Sequence, residues 1–462
     1  MEDGSRSEDF AALHRDFAAL RAADATPDLA VRLACLAALR QAVRDGAERL
    51  AAAVDADFSG RPRPETMLAE VGLVLSHIQW TARRLPGWLR NRKPALPFEL
   101  LMSRARVERV PLGVVAILAP WNCPVQLALL PLVAALAAGN RVLLHPSEAA
   151  PRTSSTLAEI LGHGLPPEVV RVVEGGPDLA RALVRLPLDG IFFTGSAAAG
   201  REVMAAAAQN LVPVVLELGG KSPALILPDA DLRHAAEELI AGKLFSAGQT
   251  CIAPDYVLAP RAAVPELLSA LRAAVALLYP DPARADYAAL ARPADRERLL
   301  RLLEGHTPVP LMPSLAPPQL GLVAVVDPDP RAPLMREELF GPVLPILPYD
   351  DDPAAAIAFV NGRPCPLAVY VFGSDIGVCE AVVAATRSGG AAINGCLMQC
   401  AAPSLPFGGA GESGLGAYHG EEGFLALSRP RSVLIQSRLA PVRLARPPYG
   451  RTTERLIRWL LR

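Results

Sequence analysis

Neither sign of charge is in excess in this chain. Lys plus Arg number 46 against 47 Asp plus Glu, and the net charge of −1 gives no reason to expect nucleic acid as a partner. Lysine itself is scarce, occurring only at Lys93, Lys221 and Lys243, so the cations are almost all arginine. No CxxC spacing occurs among the seven cysteines, an odd number; this argues against a disulfide framework or a zinc site, and for free thiols in a reducing compartment. No apolar run reaches the roughly 18 residues that a membrane span needs, and the most apolar stretch, 125–138, fits a buried helix. The first 23 residues are charged and helix-like without the apolar centre of a secretory signal, which points to the cytoplasm. No GxGxxG stands at a strand-to-helix corner of the 113–216 block, so the common dinucleotide fingerprint cannot be invoked there.

What is present is a long, apolar chain. With 462 residues, 51% hydrophobic content and 20% charged, two or three packed units can be supported. Residues 8–55 and 63–90 read as amphipathic helices, with apolar positions recurring at three and four, and a proline-rich break follows at 94–97. Short apolar runs at 113–119, 141–144, 169–173, 190–194 and 213–218 then alternate with helical stretches at 124–138, 152–163, 178–185 and 197–208. Such alternation predicts a parallel sheet with helices on both faces. A second alternating block runs from about 222 to 411, and the proline-rich stretch 307–333 is its least regular part.

Three segments carry reactive groups. Gly248-Gln249-Thr250-Cys251 places a thiol in a turn of small residues, 251 − 217 = 34 positions after Glu217 in Glu217-Leu218-Gly219-Gly220. A thiolate can attack a carbonyl, and a carboxylate can activate the water that releases the resulting thioester. A lone Cys251 could equally be a buried structural thiol. Asn122, in Pro120-Trp121-Asn122-Cys123-Pro124, stands at a strand-to-helix corner where its amide could stabilise an oxyanion, although corner asparagines also serve as caps. In Phe193-Thr194-Gly195-Ser196, a strand runs into a helix start whose free N–H groups favour a phosphate.

Together these segments resemble the aldehyde dehydrogenase superfamily. The resemblance continues through Glu337-Glu338-Leu339-Phe340-Gly341-Pro342, Val360-Asn361-Gly362-Arg363-Pro364 and Leu405-Pro406-Phe407-Gly408-Gly409, with Gly414, Gly416, Tyr418, His419 and Gly420, covering roughly residues 30–435. The wording around Cys251 and the Pro447-Pro448-Tyr449-Gly450 segment look most like the class 3 and coniferyl aldehyde dehydrogenase branch.

The resemblance implies an α/β fold of two doubly wound parallel-sheet domains plus a small β oligomerisation arm. A dinucleotide-binding domain is expected at 1–99 and 113–216 and a catalytic domain at 217–411. The arm is expected at 100–112 and 425–440, and 441–462 as a basic amphipathic tail. It further implies oxidation of a small-molecule aldehyde to a carboxylic acid, in which Cys251 forms a thiohemiacetal and then a thioester, Asn122 binds the oxyanion and Glu217 serves as deacylation base. NAD is the expected cofactor, with NADP as the alternative. Trp121, His145, Glu148, Gly195, Ser196, Gly200, Leu218, Glu338 and Phe340 are the implied cofactor residues. Without the resemblance, Glu338 would read as a solvated charge.

Departures from the branch pattern keep a catalytically impaired, cofactor-binding relative as an alternative. His145 replaces a lysine, Cys123 a tyrosine and Cys365 an arginine, Asn394-Gly395-Cys396 stands for Asn-Asp-Thr, and 279–333 is shortened. A coenzyme-A-acylating enzyme is disfavoured because Glu217 is present. At His145 the change predicts NAD preference, with NADP affinity recovering below pH about 6.5 as the imidazole gains charge. Homodimerisation through 104–111 and 431–436 is implied by the resemblance. The tail 451–462 alternates Arg with Leu, Ile and Trp459; it could lie on an anionic membrane surface, but packing across the dimer is favoured.

Overall fold

The computed structural model describes residues 2–22, 26–283, 286–350 and 352–461. Fifteen strands are arranged in two large sheets and a two-stranded ribbon among these residues. They are β1 (Arg104–Pro111), β2 (Val114–Leu118), β3 (Arg141–His145), β4 (Val170–Val172), β5 (Gly190–Gly195), β6 (Val214–Leu218), β7 (Pro223–Ile226) and β8 (Tyr256–Pro260). β9 (Val309–Pro310), β10 (Val323–Val326), β11 (Val343–Tyr349), β12 (Ala368–Phe372), β13 (Gly390–Ile393), β14 (Gly414–Leu415) and β15 (Ser428–Ile435) complete the set.

The first sheet has the order β14-β6-β5-β2-β3-β4, parallel except at β14. The second, β13-β12-β7-β8-β11-β10-β9, is parallel except at β9. Helices cover both sheets, so central strands such as β2 are buried on both faces and are apolar at every position instead of alternating. The helix Gln126–Ala138 is buried along nearly its whole length and ends at Gly139, which takes a φ of +88° and whose missing Cβ leaves room for the Arg32 guanidinium.

The alternation seen in the sequence therefore holds through both sheets, and the proline-rich stretch contributes the short edge strand β9 and its neighbour β10. One return of the chain is not evident in that pattern. After the second sheet, β14 comes back to pair with β6, placing Gly414 opposite Glu217, and Gly420–Ala426 packs against Gln126–Ala138. β1 and β15 form an antiparallel ribbon outside both sheets. Beyond it the tail forms a helix, Arg451–Leu460, whose exposed Trp459 ring meets Phe98 at 5.1 Å. No helix among the described residues is long and apolar enough to cross a membrane.

Candidate active site

β6 passes directly into β7 through Leu218-Gly219-Gly220-Lys221-Ser222, so the link between the two sheets carries Glu217 on one side of a cleft. The turn bearing Cys251 forms the opposite side. Its approach is left-handed at three successive residues, Ser246 (φ +50°), Ala247 (φ +52°) and Gly248 (φ +79°). Non-glycine residues enter that region at a cost of about 1–2 kcal/mol each, so the turn needs support. Glu65 accepts from the Ser246 N–H at 3.1 Å. The Gln249 side chain donates to the carbonyls of Ser246 at 2.9 Å and Ala289 at 3.0 Å, and accepts from the Ala291 N–H at 2.9 Å. A Cβ on Gly248 would approach the Gly341 carbonyl oxygen to 2.7 Å, which explains why the Phe340-Gly341-Pro342 segment packs on this turn only if residue 248 is glycine.

Asn122 lies in the corner after β2, 4% exposed, and its amide donates to the Gln249 carbonyl at 3.0 Å. Its other N–H faces the Cys123 sulfur at 4.0 Å, a long and weak contact that a ligand oxygen can displace. Behind it Arg61, 1% exposed, donates to the Asn122 carbonyl at 3.0 Å and pairs with the buried Glu70 at 2.8 Å. Glu70 in turn accepts from the N–H groups of Val125 (2.8 Å) and Gln126 (3.1 Å) at the following helix start.

Cys251, Glu217 and Asn122 all line one cavity of about 300 Å³, together with Trp121, Gly195, Ser196, Leu218, Glu338 and Phe340. A second cavity of about 950 Å³ continues from it, lined by His145, Glu148 and again Trp121, Gly195 and Ser196. Gly200 lines neither; instead a Cβ there would come within 2.6 Å of Leu218, so this glycine lets the helix lie close to the end of β6.

Burial sets the electrostatics. It pushes the Cys251 thiol well above its usual value, and nearby Cys123, Glu338, Cys400 and Glu217 push the same way. Glu217 is 2% exposed with neither carboxylate oxygen hydrogen-bonded, and its carboxyl is likewise raised well above the usual range by burial. A carboxylate so desolvated is a stronger base than a surface one. Glu338 is pushed up to about 8 by burial and by Asp255, against the Gly220 N–H, Lys221 and Arg298. Asp255 itself is a structural link: it pairs with Lys221 at 2.7 Å and accepts from the Leu339 N–H at 3.1 Å, joining the Gly-Gly turn to the Glu338 segment.

A nicotinamide dinucleotide fits these cavities. Ser196 caps the helix Ala197–Ala208, the Thr194 hydroxyl is buried without a partner, and a Cβ on Gly219 would come within 2.1 Å of the Glu338 carboxylate. His145 is 3% exposed and its Nδ1 contacts the Val173 carbonyl at 2.7 Å, so Nδ1 carries a hydrogen and Nε2 is the bare nitrogen of the neutral ring. Burial holds its pKa below the ordinary imidazole value. The expected recovery of NADP affinity at pH about 6.5 is therefore corrected to a lower pH, because the charged ring is desolvated. Sequence reasoning missed Arg61, Arg292, Asp295 and Arg298, the last three lining the smaller cavity from an arginine-rich segment that reads as a solvated helix.

Comparison with known proteins agrees with this geometry. Residues 11–433 match the model of the aldehyde dehydrogenase family. A probable coniferyl aldehyde dehydrogenase of Pseudomonas aeruginosa is 40% identical over 93% of this chain and 92% of its own. A dimeric NADP-preferring aldehyde dehydrogenase of Rattus norvegicus is 36% identical over 90% of this chain and 92% of its own. Among solved structures, the substrate-bound state of Staphylococcus aureus AldH superposes with a TM-score of 0.92 at 32% identity, covering 97% of this chain and 99% of that one.

Proposed function

The chain belongs to the aldehyde dehydrogenase family and performs NAD(P)-dependent oxidation of an aldehyde to a carboxylic acid, and on that premise we propose that Cys251 is its nucleophile, Glu217 its base and Asn122 its oxyanion donor. The observation that carries this assignment is the convergence of the three side chains, from separate segments, on one cavity whose only described thiol is Cys251.

The thiol loses its proton and adds to the aldehyde carbon, giving a thiohemiacetal. The second N–H of Asn122 and the backbone N–H of Cys251 take the negative oxygen. The bound cofactor supplies the acceptor for the two electrons leaving the substrate carbon. The thioester left on Cys251 is then attacked by water, deprotonated by Glu217, and the acid is released with the thiolate restored. Glu338 and Phe340 would hold the nicotinamide end of the cofactor; Phe340 has φ +49° and its ring meets Trp121 edge-on at 5.6 Å. Gly195, Ser196 and the helix start would hold the diphosphate, with Gly200 and Leu218 packed behind that helix start, and His145 and Glu148 would face the adenosine end. The bare Nε2 of His145 can accept from a ribose hydroxyl and repels a 2′-phosphate, which supports NAD preference.

The division into a cofactor domain (1–99, 113–216), a catalytic domain (217–411), an arm (100–112, 425–440) and a tail (441–462) is supported by the two sheets and the β1–β15 ribbon. The returning strand β14 goes with the cofactor domain. A two-stranded ribbon standing outside both sheets suits a homodimer, with the tail helix packing at that end of the molecule. Seven free thiols suit the cytoplasm. The substrate class is an aromatic or medium-chain aldehyde, supported by the apolar walls Leu127, Leu367, Phe407 and Tyr418 and by the coniferyl aldehyde dehydrogenase relatives. Absorbance at 340 nm with NAD and a panel of aldehydes tests the reading; NAD binding without reduction by any aldehyde would defeat it in favour of an impaired relative.

A further inference from the structure

The two cavities meet at a neck whose walls are Pro120, Trp121, Thr194, Gly195, Ser196 and Arg292. A dinucleotide that fills both must pass its diphosphate, carrying two negative charges, through this neck. One wall offers the start of the helix Ala197–Ala208, equivalent to about half a positive charge. Arg292 is the one cation among the described residues that line both cavities.

Its position is defined at both ends. Ala291, the preceding residue, is anchored by its N–H to the Gln249 side chain at 2.9 Å, so the root of Arg292 is fixed to the turn that bears Cys251. The guanidinium lies over the Trp121 ring, 4.5 Å from its centroid. Asp295 takes its Nε at 2.7 Å and its Nη2 at 2.9 Å, in a two-pronged pair in which Arg292 remains 46% exposed and Asp295 only 12%. The fork leaves Nη1 as the edge not used in that pair.

We infer that Arg292 is a cofactor-binding residue, stacked on Trp121 and oriented by Asp295 so that Nη1 engages the diphosphate across the neck from Ser196. This rests on the dinucleotide reading of the cavities and adds a cationic contact from the segment that supplies the opposite wall. Arg292 thereby also couples cofactor occupancy to the Cys251 turn through Gln249.

The test is equilibrium binding, read by quenching of tryptophan fluorescence, of ADP-ribose, NADH and adenosine to the full-length wild type, Arg292→Met and Arg292→Lys. Arg292→Met is expected to bind ADP-ribose and NADH about 10- to 100-fold more weakly, the effect of one lost charge-assisted hydrogen bond, and with a shallower salt dependence. Adenosine, followed by displacement of ADP-ribose at millimolar concentration, is expected to bind both proteins alike, and Arg292→Lys to fall between wild type and Arg292→Met. Unchanged ADP-ribose affinity in Arg292→Met would overturn the assignment. So would an equal loss for adenosine, which would mark a structural role. Wild-type protein that binds neither ADP-ribose nor NADH would instead defeat the cofactor reading on which the inference rests.

Discussion

The side-chain amide of Asn122 donates to the carbonyl oxygen of Gln249 at 3.0 Å, tying the proposed oxyanion donor to the turn that carries Cys251. Donor and nucleophile thus keep their spacing without a ligand, which is what stabilising a developing charge requires. Asn122→Ala is expected to lower kcat by about 100- to 1000-fold while leaving NADH affinity within about twofold. Stopped-flow kinetics with parallel fluorescence titration checks both; a loss confined to cofactor binding would contradict the role.

Arg61 and Glu70 form a buried ion pair at 2.8 Å behind this corner, with side chains shielded completely from solvent. Removing one partner leaves a buried charge, a change that costs about 3–5 kcal/mol, whereas replacing both by apolar groups costs far less. Arg61→Met should therefore lower the urea midpoint sharply, and Arg61→Met with Glu70→Leu should regain most of that loss. Additive destabilisation in the double variant would show that the pair does not act as a unit.

The thiol of Cys251 is raised well above its usual value, with burial as the largest cause. A raised acid pKa means that the reactive thiolate fraction keeps growing with pH beyond the point where an ordinary thiol saturates. Inactivation of the cofactor-free protein by iodoacetamide is expected to accelerate through pH 9 and above, with no plateau near the usual value of about 8.5. A plateau at neutral pH would mean that another group already deprotonates the sulfur.

His145 presents a neutral ring, with burial holding its pKa down and Nδ1 committed to the Val173 carbonyl. Since the charged form appears only below the ordinary imidazole value, NAD should bind more tightly than NADP at pH 8. The preference should relax only on acidification to below the ordinary imidazole value, because burial disfavours the charged ring. His145→Lys restores a cation and should raise NADP affinity about 10- to 100-fold at pH 8. Titration of both cofactors into both proteins decides this, and equal wild-type affinities at pH 8 would count against it.

The segments that bring Cys251, Glu217 and Asn122 to one cavity were legible because turns of small and polar residues lie at or beside them, with Glu217 at the end of β6, and the alternation of apolar runs with helices announced both sheets. The supporting residues were not. Arg61, Glu65, Glu70 and Asp295 come from charged stretches whose local pattern reads as solvated surface, and only tertiary packing covers them, while Arg292 stays 46% exposed and is placed by its partners alone. Ser246 and Ala247 in left-handed conformations had no signal, since neither is glycine or asparagine. Gly200 was expected among the cofactor residues by resemblance alone, and its missing Cβ makes room for Leu218.

The division of labour between Cys251 and Glu217 is the centre of the account, and pre-steady-state release of NADH measures it most directly. Cys251→Ala should produce neither burst nor turnover. Glu217→Gln should give a burst approaching one NADH per site and then stall, with acyl enzyme detectable by mass spectrometry, because the base acts on the water that cleaves the thioester. Wild-type turnover in Cys251→Ala, or a Glu217→Gln variant that turns over steadily without a burst, would contradict it.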